Sequence, residues 1–161
     1  MSRTSWVTIV GAFVVAAMGS YAVFVLAQGM GAPTPRATWL THAFMAVITL
    51  WVFVRGRAVR QMVEGGDTNM TPLEAARIAM MAKTAAVVGS LLAGYFAAVA
   101  LFVMGLPSAP VRVELLISGL VGILVAGVMV VVGILVEGWC RIDPPDEDGP
   151  GGREPTAPTA A

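Results

Sequence analysis

An all-α, polytopic membrane protein, with four transmembrane helices in an up-down bundle, is the fold this sequence predicts. Three observations carry it. Hydrophobic residues make up 57% of the 161-residue chain and charged residues only 12%, about half the charge of a soluble domain. The apolar residues gather into four uncharged runs, 6–27, 37–54, 84–106 and 115–136, each long enough to cross a bilayer as a helix. None of them alternates with the period of two that a membrane strand requires, and a helix satisfies its own backbone groups in lipid.

The first run follows Arg3 and ends in Val25, Leu26 and Ala27, a pattern that a secretory signal also shows. A signal core spans about 7–15 residues, shorter than this run, so an uncleaved first span is expected. Cleavage would leave three spans in the same orientation. Gly29, Gly31, Pro33 and Pro35 then supply turn chemistry.

The second run carries His42 one turn in, on a line with Thr38 and Ala46, with Thr41 and Thr49 nearby. A histidine titrates near neutrality, which admits a proton-relay reading, but no carboxylate accompanies it within the span. A hydrogen-bonded packing role is the simpler expectation.

The connection 55–83 has the most specific local signal. Thr71, Pro72 and Glu74 form a capping box with proline at the first helical position. No glycine or proline follows until Gly89, so one helix is expected over 72–106, about 52 Å long against a hydrocarbon core of about 30 Å. Residues 55–64 extend the preceding helix until Gly65 and Gly66 stop it. The two overruns match in length and suggest a cytoplasmic helical hairpin with its tip at 65–70. In it Val59, Met62 and Val63 would face Leu73, Ala76 and Met80, with Arg60 near Glu74. The alternative is a pair of amphipathic helices lying on the headgroups.

In the third span Ala82, Ala86, Ser90, Gly94 and Ala98 recur every four residues, a spacing that lets helix backbones approach closely. Ala12, Ala16 and Ser20 repeat it in the first span. Ser118, Gly122 and Ala126 repeat it in the fourth. Packing within the bundle is the first reading and homodimerisation the second. Pro107 and Pro110 break the chain before the fourth span, Glu114 opens that span and Glu137 closes it. The domain thus covers 1–142. Residues 143–161 hold five of the ten prolines and five of the ten acids, and such a tail cannot bury enough apolar surface to order itself.

With the N-terminus inside, eight of the ten basic residues are cytoplasmic and only Arg36 and Arg112 are outside. This positive-inside bias places both termini in the cytoplasm. Trp6, Trp39, Trp51 and Trp139 fall near span ends, where such rings prefer to sit.

Ten basic and ten acidic residues cancel, which excludes a nucleic-acid-binding surface as the main theme. One cysteine and one histidine exclude a disulfide scaffold and a Cys/His zinc site. Cys140 is juxtamembrane, where palmitoylation competes with a plain thiol. The sequence contains no phosphate-binding glycine loop, nucleophile elbow or paired histidines on a helix. No cofactor and no enzymatic activity are expected.

The stretch Thr71-Pro72-Leu73-Glu74-Ala75-Ala76-Arg77 is followed by Ala82-Lys83-Thr84-Ala85, by Gly89-Ser90 and Gly94-Tyr95, and by Glu137-Gly138-Trp139-Cys140-Arg141. It resembles an uncharacterised domain-of-unknown-function family of small four-span membrane proteins from high-GC bacteria. Its members are often encoded beside folate-biosynthesis genes. The resemblance runs from Thr71 to about Asp143 and implies a bacterial inner-membrane location and an association with folate metabolism. It implies no catalytic residue.

Two functional expectations follow. The first is a non-enzymatic scaffold or interaction module, whose hairpin offers Arg57, Arg60, Glu74, Arg77 and Lys83 to a protein partner or to anionic lipid. The second is a small transporter or permeability protein, in a dimeric form as one variant, for a pterin-like or other small solute. The second lacks the mid-span carboxylate that commonly couples transport.

Overall fold

A computed structural model of the chain describes residues 5–31, 33, 38–63, 71–105 and 110–140. The hairpin tip 65–70, the acidic tail 143–161, and Arg3, Arg36, Arg141 and Arg153 lie outside them. The described residues form four α-helices: α1 Trp6–Gly29, α2 Trp39–Val63, α3 Pro72–Met104 and α4 Pro110–Trp139. All four are long and apolar enough to cross a membrane.

The ends of the helices follow from local chemistry. Ser5 caps α1, its side chain accepting the Val7 N–H. Gly31, beyond the end of α1, has φ of 75°, a left-handed turn that a side chain would strain. The Thr71 capping box is complete. Glu74 N–H donates to Thr71 Oγ1 at 3.3 Å, and Thr71 N–H donates to a Glu74 carboxylate oxygen at 3.0 Å. At the other end of α3, Arg112 donates to the Met104 carbonyl at 3.2 Å, satisfying an acceptor that the helix itself leaves open. The expected break before the fourth span falls between Met104 and Pro110, and Pro110 itself begins α4, because a missing N–H is harmless at a first helical position.

Neighbouring relationships are set by which faces carry small residues. α3 is the central helix. It packs antiparallel against α4 and parallel against α1, while α2 lies mainly against α4 and more lightly against α3. Ala82, Ala86, Ser90 and Ala98 are all at most 2% exposed, and Gly94 is buried with them. A Cβ on Gly133 would stand 2.7 Å from the Ala82 carbonyl oxygen and 2.8 Å from the Ala86 nitrogen. A Cβ on Gly94 would meet the Phe13 carbonyl and the Ala16 side chain. The small residues of α3 are therefore where α1 and α4 approach its backbone, the geometry that drives association in lipid.

Large apolar side chains face outward instead. Val15 is 70% exposed, Leu40 75% and Leu124 70%. So extensive an apolar exterior is not sustainable in water. It is the exterior of a multi-pass membrane protein, with lipid as the outer solvent.

α1 crosses α3 at Phe13 and Gly94, and its last turns meet Phe102 through Phe24. By that parallel register α1 begins beside about residue 87 of α3. The first four turns of α3 therefore run past it. There Val59, Ile78, Ala82 and Val136 form a buried cluster built from α2, α3 and α4 alone. The projecting end is thus three-helical rather than a two-helix hairpin. The expected facing of Val63 with Leu73 and Met80 is corrected accordingly. These three are 44%, 63% and 60% exposed, because α3 turns Ala75, Ile78 and Ala82 inward and α4 supplies Val136 between the other two helices.

Candidate functional site

The end that carries the C-terminus of α2 and the N-terminus of α3 displays arginines on two flanks. On α2, Val52, Gly56 and Val59 are buried, so residues on either side of that stripe point in different directions. On the α3 side, Trp51, Arg55, Glu74, Arg77, Ile78 and Met81 line a cleft of about 180 Å³. The Arg55 guanidinium carbon stands 5.7 Å from the Trp51 ring centroid. Glu74 borders this cleft while its carboxylate holds the Thr71 N–H, so the same bond that starts α3 also fixes an acid between basic groups.

On the α4 side, Arg57 lies over Phe53 at 5.9 Å and Arg60 over Trp139 at 5.5 Å. The Phe53 and Trp139 ring centroids are 6.0 Å apart. Cations within about 6 Å of an aromatic face are attracted to it, so the two rings hold two guanidinium groups along one edge.

The five interaction candidates from the sequence are thereby divided. Glu74 and Arg77 share the α2/α3 cleft, Arg57 and Arg60 occupy the α2/α4 flank, and Lys83 is half-buried on α3. Arg55, absent from that set, belongs to the cleft. The Trp51–Arg55 spacing of four residues, on the opposite side of α2 from Phe53 and Arg57, is the signal that places it there. Cys140 packs beside the Val59–Val136 cluster, and burial pushes its thiol pKa up.

His42 stands near the other end of α2 and is 4% exposed. It lies on the buried stripe with Met45, Thr49 and Val52, not on the expected line with Thr38 and Ala46, both of which are exposed. Its Nε2 is 3.1 Å from the Ser118 carbonyl oxygen of α4. A carbonyl only accepts, so Nε2 carries the proton. Nδ1 is buried without a hydrogen-bond partner. The ring lies 5.2 Å from that of Phe96, tilted by 31°. Phe96 in turn fills the space where Gly122 has no side chain. The histidine thus ties α2, α3 and α4 together. Thr49, the next polar residue of the stripe, donates to its own helix at Met45 O, 2.8 Å away.

Among the described residues no cluster of histidine, cysteine, aspartate or glutamate could hold a metal ion. Residues 9–144 match the family model described as "Protein of unknown function (DUF3180)". Comparison with curated proteins and with solved structures gave no match.

Proposed function

The chain belongs to the DUF3180 family of proteins of unknown function, and we propose that it is a non-enzymatic interaction module of a bacterial inner membrane. In this reading both termini face the cytoplasm. The three-helix end projects from the lipid and offers the α2/α3 cleft to a partner protein. The observation that carries the proposal is the convergence of Arg55, Glu74 and Arg77 with the apolar Trp51, Ile78 and Met81 around one cleft. Charges of both signs bordering exposed aromatic and apolar groups suit a protein surface, since interface centres favour aromatic residues, methionine and arginine. The positive-inside distribution supports the orientation.

The test is a photo-crosslinking residue at Met81 of the full chain in its native membrane. The expected result is a discrete protein adduct that disappears when Arg55 and Arg77 are replaced by Gln, while the variant remains inserted. An unchanged adduct, or adducts with lipid alone, overturns the proposal.

A further inference from the structure

A second groove runs between α2 and α4. Ala46, Thr49, Leu50 and Phe53 line it on one side, and Leu124, Val125, Val128 and Val132 on the other, around a volume of about 420 Å³. Its one hydroxyl, that of Thr49, is engaged by Met45, so the lining is apolar in effect. Ala46 to Phe53 spans about 10 Å of helix, most of the depth of one leaflet, whose hydrocarbon is about 15 Å deep.

The groove does not end in apolar surface. Phe53 closes it, with its ring tilted 52° to that of Trp139, and the two rings carry Arg57 and Arg60. Arg57 is one turn and Arg60 two turns beyond Phe53, at the level where headgroups begin if Ala46 to Phe53 lie among acyl chains. The combination is an apolar trough reaching through most of one leaflet, with a cationic, aromatic-backed rim at its mouth.

We propose that this groove binds an anionic glycerophospholipid, with an acyl chain between α2 and α4 and its phosphate on Arg57 and Arg60. Charge complementarity selects the headgroup and the trough selects the chain, so the site distinguishes a lipid from a soluble phosphate. The site uses the opposite flank of α2 from the α2/α3 cleft and stands whether or not that cleft has a partner.

The experiment uses the full chain in nanodiscs of equimolar phosphatidylcholine and phosphatidylglycerol, followed by native mass spectrometry of the released protein. The expected result is retention of one phosphatidylglycerol in preference to phosphatidylcholine. Arg57→Gln with Arg60→Gln lowers that preference on the order of thirtyfold, from about one basic-residue contribution each. The corresponding double Lys variant keeps most of it. Val128→Trp, which fills the trough from a lipid-facing position, abolishes retention with the arginines intact. Arg55→Gln with Arg77→Gln leaves it unchanged. Equal retention of the two lipids by the unmodified chain overturns the site, as does full retention by the double Gln variant or by Val128→Trp.

Discussion

His42 Nε2 and the Ser118 carbonyl oxygen, 3.1 Å apart, join two parallel helices at positions 76 residues apart in the sequence. Ser118 O is also positioned to accept from its own helix, so His42 uses its second lone pair. Replacing His42 with Leu removes the donor without stranding the acceptor. The expected loss is about 1 kcal/mol, in the range measured for interhelical hydrogen bonds in lipid. His42→Gln, which retains a donor, should lose less. Unfolding by denaturing detergent in mixed micelles measures both. Equal stability of His42→Leu and the unmodified chain would mean that the Phe96 and Met45 contacts alone hold this part of α2.

Gly133 and Gly127 make a matched pair on α4. A side chain at Gly133 meets backbone atoms of Ala82 and Ala86, which cannot rotate aside. At Gly127 nothing lies within 4 Å. Gly133→Val should therefore destabilise by about 1–3 kcal/mol, the usual penalty for overpacking, while Gly127→Val should be close to neutral. Thermal aggregation of the two variants in detergent, measured side by side, separates a local clash from a general cost of adding a β-branched residue.

Gly94 makes the equivalent test for α1. Because the close backbone approach of α1 among the described helices is to α3, Gly94→Val should loosen α1 selectively. The expected signature is loss of disulfide crosslinking between cysteines placed on α1 and α3, with α3–α4 crosslinking retained. Loss of both would show that α1 docking supports the whole bundle.

These small-residue contacts were readable in the sequence because lipid offers no hydrophobic drive between helices, so close approach needs residues that permit it. The stripe from Ala82 to Ala98 marks the packed face for that reason. The face of α2 was less legible. Its buried positions, 42, 45, 49, 52, 56 and 59, follow a seven-residue repeat, but they mix His, Met, Thr, Val and Gly. The lipid-facing positions are as apolar as the buried ones, so hydrophobic periodicity carries little contrast. The offset of α1 was not legible either, since it depends on the Phe13–Gly94 crossing and not on any span length. For the same reason the projecting end read as two helices, and Arg55 was separated from Glu74 and Arg77.

The Thr71 capping box sets where α3 begins and so where Glu74 and Arg77 stand. Thr71→Ala removes the acceptor for the Glu74 N–H and should weaken the first turn by about 1 kcal/mol. Hydrogen exchange at amides 74–77 should accelerate about fivefold, while amides beyond Ala82 keep their protection. Glu74→Gln can still accept the Thr71 N–H and should change the exchange little. Acceleration that extends to Ser90 in Thr71→Ala would show instead that the projecting segment and the span unfold as one unit.

Cys140 tests the projecting cluster through its chemistry. Burial beside Val136 and Trp139 disfavours the charged thiolate and raises the pKa, and only the thiolate attacks a maleimide. At neutral pH its alkylation should be slower than that of a free cysteine. The rate should climb about tenfold per pH unit and continue climbing above the pH at which a free thiol levels off. Because the folded-state pKa is the raised one, the contribution to stability is fully present below the unfolded pKa and is lost as pH rises through the folded value. Trp139→Ala should open the site, lower the pKa toward its ordinary value and speed alkylation at neutral pH. An unmodified chain that reacts at the rate of a free cysteine would show that the end of α4 does not remain packed against α2 and α3.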